Sequence, residues 1–290
     1  MQTRRPIVAH QFYPGRPKEC IAEIEQCLRG ASLPASLPDK IIAGIVPHAG
    51  WVFSGDLAAM VFAALRRQYD GIEVFVILGA AHRFAGSKPV VGPEGDWETP
   101  LGRVVVDREL VDQLVHAGRV GLSTAAHRME HSIEVQVPFV QFCFPQARIC
   151  PIVVPPTLDA ISLGQWLGQW IRDQDRSIVC LASTDLTHYG PGYGFVPKGS
   201  GREGIRWAAE VNDRRFIDLA AAMEPLQMLT EAAENVNACG PGAAAAAVAA
   251  AKAFGKTMGQ LLAYTNSHRV MADKTATFSL DSVGYAAMVF

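Results

Sequence analysis

Short, nearly continuous runs of apolar residues alternate along the chain with longer segments of helical length. Such runs, rich in Val, Ile and Leu, are typical of strands buried on both faces of a sheet. They predict strands at Ile41–Val46, Val74–Leu78, Ile149–Val154, Ile178–Leu181, Leu261–Tyr264 and Val283–Val289. The intervening segments predict helices at Lys18–Leu28, Gly55–Arg67, Asp107–Ala117, Ile133–Phe142, Leu158–Arg172, Gly204–Ala222 and Pro241–Phe254.

This alternation predicts an α/β fold with a mostly parallel central sheet and helices on both of its faces. The segment Asp96–Asp107 alternates more and contains Pro and Gly, so we interpret it as an antiparallel excursion from the main sheet. No low-complexity linker or repeat divides the sequence. We therefore expect residues 1–290 to form a single domain.

The composition of the chain argues against several classes of protein. Basic residues number 26 and acidic residues 28, and no segment is strongly basic, so a nucleic-acid partner is not expected. The N-terminus has no apolar run of the kind that a secretory signal needs. The most apolar stretch, Gly242–Gly255, is too short for a membrane span and contains Lys252. Six cysteines without a CxxC pair then predict reduced thiols in a cytoplasmic protein.

Histidines follow three of the predicted strands. His48 comes after the first strand and His82 after the second, while the strand Ile178–Leu181 is followed by Asp185 and His188. A single histidine in such a place is more often a capping or core residue. Because ligands bind outside the carboxyl ends of parallel strands, we expect these side chains to converge on one site.

Two further stretches carry candidate chemistry. Cys239 precedes Gly-Pro-Gly at the start of the Ala-rich helix, where the unpaired N–H groups of a helix terminus favour a thiolate. In "HRMEHSIEVQVPF", the residues Glu130, His131 and Glu134 stand before or within a helix start. Glu130 and Glu134 are one helical turn apart, and the two interpretations are a solvated first turn and a functional pair.

Three chemistries fit these residues. A mononuclear metal site with two imidazoles and one anionic group, Cys239 or Asp185, suits Fe(II), and a thiolate also tolerates copper or zinc. A cysteine hydrolase would use Cys239 as nucleophile and a histidine as base. A binding module would hold an anion between the helix N-terminus and the histidines. The spacing alone leaves all three open.

The motifs, taken together, resemble the Memo family, whose bacterial members are called AmmeMemoRadiSam system protein B. They are "AHQFYPG", "VPHAGWVFSG", "LGAAH", "WETPLG", "EHSIEVQVPF", "STDLTHYG", "ACGPGA" and "SVGYAAMVF", in this order from about Ala9 to the C-terminus. The runs "EHSIEVQVPF" and "STDLTHYG" are the most specific of them. The family is similar in fold to the class III extradiol dioxygenases of the LigB type, which use Fe(II) and O₂ to open catechol-like rings.

The resemblance implies a metal site at His48, His82 and Cys239. It implies that Asp185 and His188 line the same pocket and that His131 stands near it as an acid or base. Fe(II) is the expected metal, with copper or zinc as alternatives, and the expected activity is a dioxygenase-like redox reaction on a small molecule. The alternative is a non-catalytic module that binds a phosphorylated or acidic ligand in the same pocket. The family name further implies AMMECR-type and radical-SAM partner proteins.

The sequence departs from the family pattern at several places. Ala80-Ala81 stands before the second-strand histidine where the family usually has Pro-Ser or Pro-Asn. The common C-terminal "NSGD" is "NSHR" here, from Asn266 to Arg269, and His10-Gln11 interrupts the N-terminal "AG-FYP". None of these changes removes a proposed ligand, and they indicate that the pocket walls differ.

Overall fold

The computed structural model describes residues 3–275 and 278–290. Within these residues the strands are β1 (Thr3–Arg4), β2 (Ala43–Val46), β3 (Val74–Gly79), β4 (Val90–Val91), β5 (Asp96–Thr99), β6 (Gly102–Val105), β7 (Gly121–Leu122), β8 (Arg148–Val153), β9 (Ile178–Ser183), β10 (His188–Tyr189), β11 (Gln260–Asn266) and β12 (Ser282–Val289). All six predicted strands are confirmed, with ends that shift by up to two residues.

The helices are α1 (Pro17–Gly30), α2 (Trp51–Gln68), α3 (Arg108–His116), α4 (Thr124–Arg128), α5 (Val137–Cys143), α6 (Leu158–Arg172), α7 (Arg202–Trp207), α8 (Asp213–Ala221), α9 (Pro225–Asn235), α10 (Pro241–Phe254) and α11 (Ser267–Thr275). Among the described helices, none is long and apolar enough to cross a membrane. All six cysteines are free thiols.

The central sheet has the strand order β10-β12-β2-β9-β3-β8-β4-β7, and β11 pairs with β12 at one side. Its four middle strands, β2, β9, β3 and β8, are parallel to one another. The flanking pairs β12–β2 and β4–β8 are antiparallel. The sheet is therefore mixed, with a parallel centre, and the carboxyl ends of β2, β9, β3 and β8 lie along one edge.

Helices cover both faces of this sheet, as the continuous apolar strands predict. Every residue of β2, β3 and β9 is buried. The helix α10 packs on β2, β3 and β9 together with α6, whereas α2 packs with α1 over β2, β11 and β12. The predicted α/β fold with a doubly covered sheet is confirmed.

The contact between α6 and α10 depends on small residues. A Cβ on Gly164 or Gly168 would overlap the carbonyl oxygens of Ala246 and Ala250 in the facing helix. Because these two positions have no side chain, the backbones approach closely, and the Ala-rich helix is almost completely buried. This packing fixes the start of α10, where Cys239 lies.

One further region agrees with the sequence prediction, and others differ from it. The segment Asp96–Asp107 forms the antiparallel hairpin β5–β6, as expected, and β1 joins it in a separate small sheet. The predicted helix Gly204–Ala222 is interrupted by a π-helical turn at Ala208–Asn212. The prediction missed three helices, α4, α9 and α11.

Candidate functional site

The predicted site residues lie at the carboxyl ends of the parallel strands. His48 follows β2, His82 follows β3, and Asp185 follows β9. The sheet order places β9 between β2 and β3, so these three ends are neighbours. Local sequence explains the abrupt turns there, because Pro47 cannot continue the hydrogen-bond ladder of a strand.

Three imidazoles meet at this edge: those of His48, His82 and His131. Each offers one ring nitrogen, and these nitrogens all lie within 4.8 Å of one another. The rings of His82 and His131 stack with their centroids 4.9 Å apart, and the His48 ring stands nearly perpendicular to both, at 5.1 and 5.3 Å. The arrangement can hold one metal ion among the three rings.

Buried hydrogen bonds fix the orientation of His48. Its Nδ1 lies 3.2 Å from the Ser183 hydroxyl, which donates its own proton to the Ser132 carbonyl at 2.7 Å. The hydroxyl therefore accepts from Nδ1–H, and the lone pair of the ring lies on Nε2. His48 is only 2% exposed, so this tautomer is held inside the protein.

Glu130 holds His82 in the same way. Its carboxylate oxygens lie 3.1 and 3.2 Å from His82 Nδ1, and one of them accepts from the Ser132 backbone N–H at 2.8 Å. Burial acts to raise the pKa of Glu130, but the hydrogen bonds with His82 and Ser132 outweigh it and lower the pKa to about 2. A carboxylate that fixes a ligand histidine is a common feature of metal sites.

The charge states of the rings suit metal binding. Burial, followed by the charges of neighbouring histidines, lowers the pKa of His48 well below its ordinary value. Burial also lowers the pKa of His131, whereas the hydrogen bond to Glu130 overcomes burial at His82 and raises its pKa. Neutral imidazole is the form that binds a metal, so the protein favours that form at two of the three rings.

Cys239 contacts this cluster through His48. Its Sγ lies 3.1 Å from His48 Nε2 and accepts from the Asp185 backbone N–H at 3.3 Å. The group of three mutually close ligand atoms contains His131 and not this thiol. Burial raises the pKa of Cys239, opposite to the expected effect of the helix terminus, because desolvation and the charge of Asp185 outweigh the hydrogen bonds with the Asp185 backbone N–H and the Thr184 hydroxyl. Its role as a metal ligand stays a prediction.

Asp185 and His188 lie beside the three clustered imidazoles, Asp185 in the floor of the site and His188 at its rim. Asp185 Oδ1 accepts from the His48 backbone N–H at 2.7 Å, so this carboxyl positions the loop that carries His48. Burial raises the pKa of Asp185 to about 7. His188 Nδ1 donates to the Leu186 carbonyl at 3.0 Å, which leaves the lone pair on Nε2, and burial lowers its pKa.

Glu134 has a structural role. It is 1% exposed, and it forms an ion pair of 2.7 Å with Arg4. The same carboxylate accepts from the Tyr13 hydroxyl and from the backbone N–H groups of Ile7 and Val8. These bonds tie the N-terminal segment to the site, where the Phe12 ring packs edge-on against His131 at 4.9 Å between centroids.

The cluster opens into a cavity of about 710 Å³, which we call the histidine pocket. Its floor contains the three clustered histidines and Asp185. Its other walls come from Gln11, Phe12, Ala49, Gly50, Val52, Phe53, His188, Tyr193, Ser267, Met271, Ser279, Asp281, Val283 and Tyr285. In the described part of the chain, this lining contains two carboxyl groups and no lysine or arginine.

The sequence reasoning assigned His131 a different role and missed Ser183. It placed His131 near the site as an acid or base, whereas the structure groups its ring with the ligand candidates. For Glu130 the sequence allows a surface role or a functional one, and the structure shows it as the partner of His82. Ser183 ends β9 next to "TDLTH", but a lone serine in a buried strand gives no sequence signal of its contact with His48.

Comparisons with known proteins agree with this architecture. The family model described as "Memo-like protein" matches residues 4–289. A MEMO1 family protein of Thermococcus onnurineus is 38% identical over 99% of both chains. MEMO1 family proteins of Pyrococcus furiosus and Methanopyrus kandleri are 35% and 36% identical over 99% of this chain and 98% of their own. The matches cover the entire region from the N-terminal segment to the last strand.

Proposed function

The chain belongs to the Memo-like protein family, and from that premise we propose that it is a metal-dependent oxidoreductase that acts on a small molecule in the histidine pocket. The observation that carries the proposal is the group of three imidazole nitrogens within 4.8 Å of one another at the floor of a 710 Å³ cavity. Such a combination of ligands and adjoining space is typical of catalytic rather than structural metal sites.

The donor set fits a transition metal. Imidazole suits iron, copper and zinc, and the lone pairs on His48 Nε2 and His82 Nε2 follow from the hydrogen bonds at Nδ1. We propose Fe(II) as the metal, held by His48, His82 and His131. A ferrous ion bound there supplies Lewis acidity and a redox couple for reactions with O₂.

The chain's own residues set the conditions for that chemistry. Glu130 and Ser183 hold two of the rings in one tautomer, which limits the motion of the ligands. His188 Nε2 is the proton acceptor on the rim, since its Nδ1 donates to Leu186. Asp185, with a pKa of about 7, holds a proton close to neutral pH beside the same cavity.

The walls of the pocket favour a neutral substrate with apolar surface. Phe12, Phe53, Val52 and Tyr285 supply apolar and aromatic contacts. Asp185 and Asp281 are the charged residues in the described lining, so a phosphorylated or acidic ligand would meet carboxyl groups without a guanidinium or ammonium partner. This lining supports a small phenolic or similar oxygen-bearing substrate over the binding-module alternative.

Metal analysis of protein purified without oxygen tests the ligand set. We expect His48→Ala, His82→Ala and His131→Ala each to reduce bound metal to less than about a tenth of the wild-type amount. His116→Ala is the matched control, because this histidine is exposed on α3 and lies outside the pocket. We expect Cys239→Ser to retain most of the metal.

Each alternative ligand set gives a distinct result. Loss of metal in Cys239→Ser together with retention in His131→Ala would support the set of His48, His82 and Cys239 instead. Equal metal content in every variant would rule out both. Oxygen uptake by the iron-loaded protein with a panel of catechols tests the redox activity, and uptake no faster than that of His48→Ala would contradict it.

A further inference from the structure

A second cavity, of about 550 Å³, lies between α7, the π-helical turn, α8, the end of β11 and the start of α11. We call it the arginine cavity, because four arginines line it against one acidic residue, Glu210. The arginines are Arg202, Arg206, Arg214 and Arg269. It shares no lining residue with the histidine pocket. The cavity therefore carries a strong excess of positive charge, which has no role in the function proposed above.

We propose that the arginine cavity is a second binding site, which takes a small ligand carrying two or more phosphate or carboxylate groups. Guanidinium groups present paired N–H donors whose geometry matches the oxygens of these two anions. Four of them around one cavity can contact more than one anionic group at a time. A volume of about 550 Å³ is in the range of cavities that hold small-molecule ligands.

The guanidinium groups are available to a ligand. Arg214 pairs with Asp218 at 3.0 Å and Arg206 with Glu203 at 3.9 Å, but all four of these side chains are more than half exposed. Exposed ion pairs of this kind are weak in water, so these guanidinium groups can exchange them for a better partner. Arg269 has no ion-pair partner among the residues that the structure describes.

Regular structure places the cationic groups. Arg206 and Arg214 lie on either side of the π-helical turn Ala208–Asn212, a feature that is frequent at functional sites. Asn266 Oδ1 accepts from the Arg269 backbone N–H at 2.8 Å and thereby caps the start of α11. The Arg202 guanidinium stacks over the Phe278 ring at 4.9 Å. The cavity is thus built on helix ends and capped turns and not on an irregular loop.

The stretch "NSHR", from Asn266 to Arg269, supplies one wall of this cavity. His268 and Arg269 both line it, and His268 is further fixed by a 2.9 Å contact between its Nδ1 and the Ser279 carbonyl. Arg269 adds one positive charge to this wall of the cavity. The start of α11 therefore contributes both a fixed imidazole and a guanidinium group to the proposed anion site.

Isothermal titration of the full-length protein with pyrophosphate, and separately with citrate, tests the proposal. We expect the wild-type protein to bind at least one of these anions saturably. The double variant Arg206→Ala/Arg269→Ala should bind the same anion about tenfold more weakly or worse. Arg215→Ala is the control, because Arg215 is an exposed arginine on the same helix as Arg214 but contacts Asn235 outside the cavity. Tighter binding of pyrophosphate would identify phosphate as the preferred group, and tighter binding of citrate would identify carboxylate.

Both anions also bind metal ions, so the titrations are repeated after treatment with EDTA. Binding that persists without metal and weakens only in the double variant supports the arginine cavity. Binding that disappears with EDTA belongs to the histidine pocket and overturns the proposal. An absence of saturable binding for both anions, or equal weakening by Arg215→Ala, overturns it as well. Neither result bears on the metal content of the histidine variants, so the two proposals can fail separately.

Discussion

The histidine pocket and the arginine cavity lie on opposite sides of one short junction. Ser267, the first residue of α11, lines the pocket, whereas its neighbours Asn266 and His268 line the cavity. In the pocket, buried contacts with Ser183 and Glu130 fix the polar groups of the floor. In the cavity, the arginine side chains are exposed, and the two that form ion pairs, Arg206 and Arg214, do so with exposed acids.

This difference separates two ways of binding. A buried cluster selects its ligand by placing a few donor atoms and by keeping them in the right charge state. An exposed cluster attracts its ligand through net charge, so its strength depends on the salt concentration. A single chain can use both within neighbouring surfaces, because the sheet edge supplies buried strand ends and the peripheral helices supply long, exposed side chains.

Asp213 contacts residues on both sides of this junction. We expect its titration to have the largest of the predicted effects, a change in the free energy of unfolding with pH. It is 1% exposed, accepts from the Thr187 backbone N–H at 2.8 Å on the pocket side, and accepts from the Tyr264 hydroxyl at 2.6 Å on the cavity side. Burial raises its pKa to about 7, so the folded protein holds this proton at pH values where the unfolded chain has released it. Its contribution to stability is present near pH 4 and is lost as the pH rises through 7.

Asp213→Asn removes this titration and keeps the shape of the side chain. We expect the free energy of unfolding of the variant, relative to wild type, to rise by about 2 kcal/mol between pH 5 and pH 8, as measured by urea denaturation. The control is Asp218→Asn, the same substitution at an exposed position on the same helix. A constant difference for Asp213→Asn would show that the buried carboxyl does not titrate in this window.

Glu130→Gln tests whether the pocket depends on its supporting hydrogen bonds. The amide fits the same space but lacks the negative charge that accepts from His82 Nδ1–H. We expect the dissociation constant for the metal to rise by about tenfold or more, as measured by competition with a chelator. Glu109→Gln, at an exposed position on α3, should leave the constant unchanged, and pyrophosphate binding should be the same in both variants. Unchanged metal affinity in Glu130→Gln would mean that Glu130 does not support the site.

Salt concentration should also distinguish the two regions, and we expect it to give the smallest of the predicted effects. Raising sodium chloride from about 0.05 to about 0.5 M screens the exposed guanidinium groups, and we expect the affinity for pyrophosphate to fall severalfold. The metal in the histidine pocket, held by nitrogen donors at a partly buried site, should remain bound under the same conditions. Equal salt sensitivity of both ligands would remove the distinction between a buried and an exposed site.

Much of the fold could be predicted from the sequence, because a buried parallel strand needs an uninterrupted apolar run and the chain has several. The rule that ligands bind at the carboxyl ends of such strands also identified His48, His82 and Asp185 as neighbours. The roles of His131 and Cys239 could not be assigned in this way. Their positions depend on the loop after α4 and on the packing of α10 against α6, which no local pattern encodes.

The sequence by itself determined the layered architecture, the strand ends that carry polar groups and the family. Only the tertiary structure decided which nitrogen of His48 and of His82 is available, which way each pKa shifts, and that four arginines from three helices enclose one cavity. The physical reason is that periodicity reports burial, a property of each segment alone. Tautomers, pKa shifts and clusters of charge arise from groups far apart in the chain, and they exist only once packing has removed the water between them.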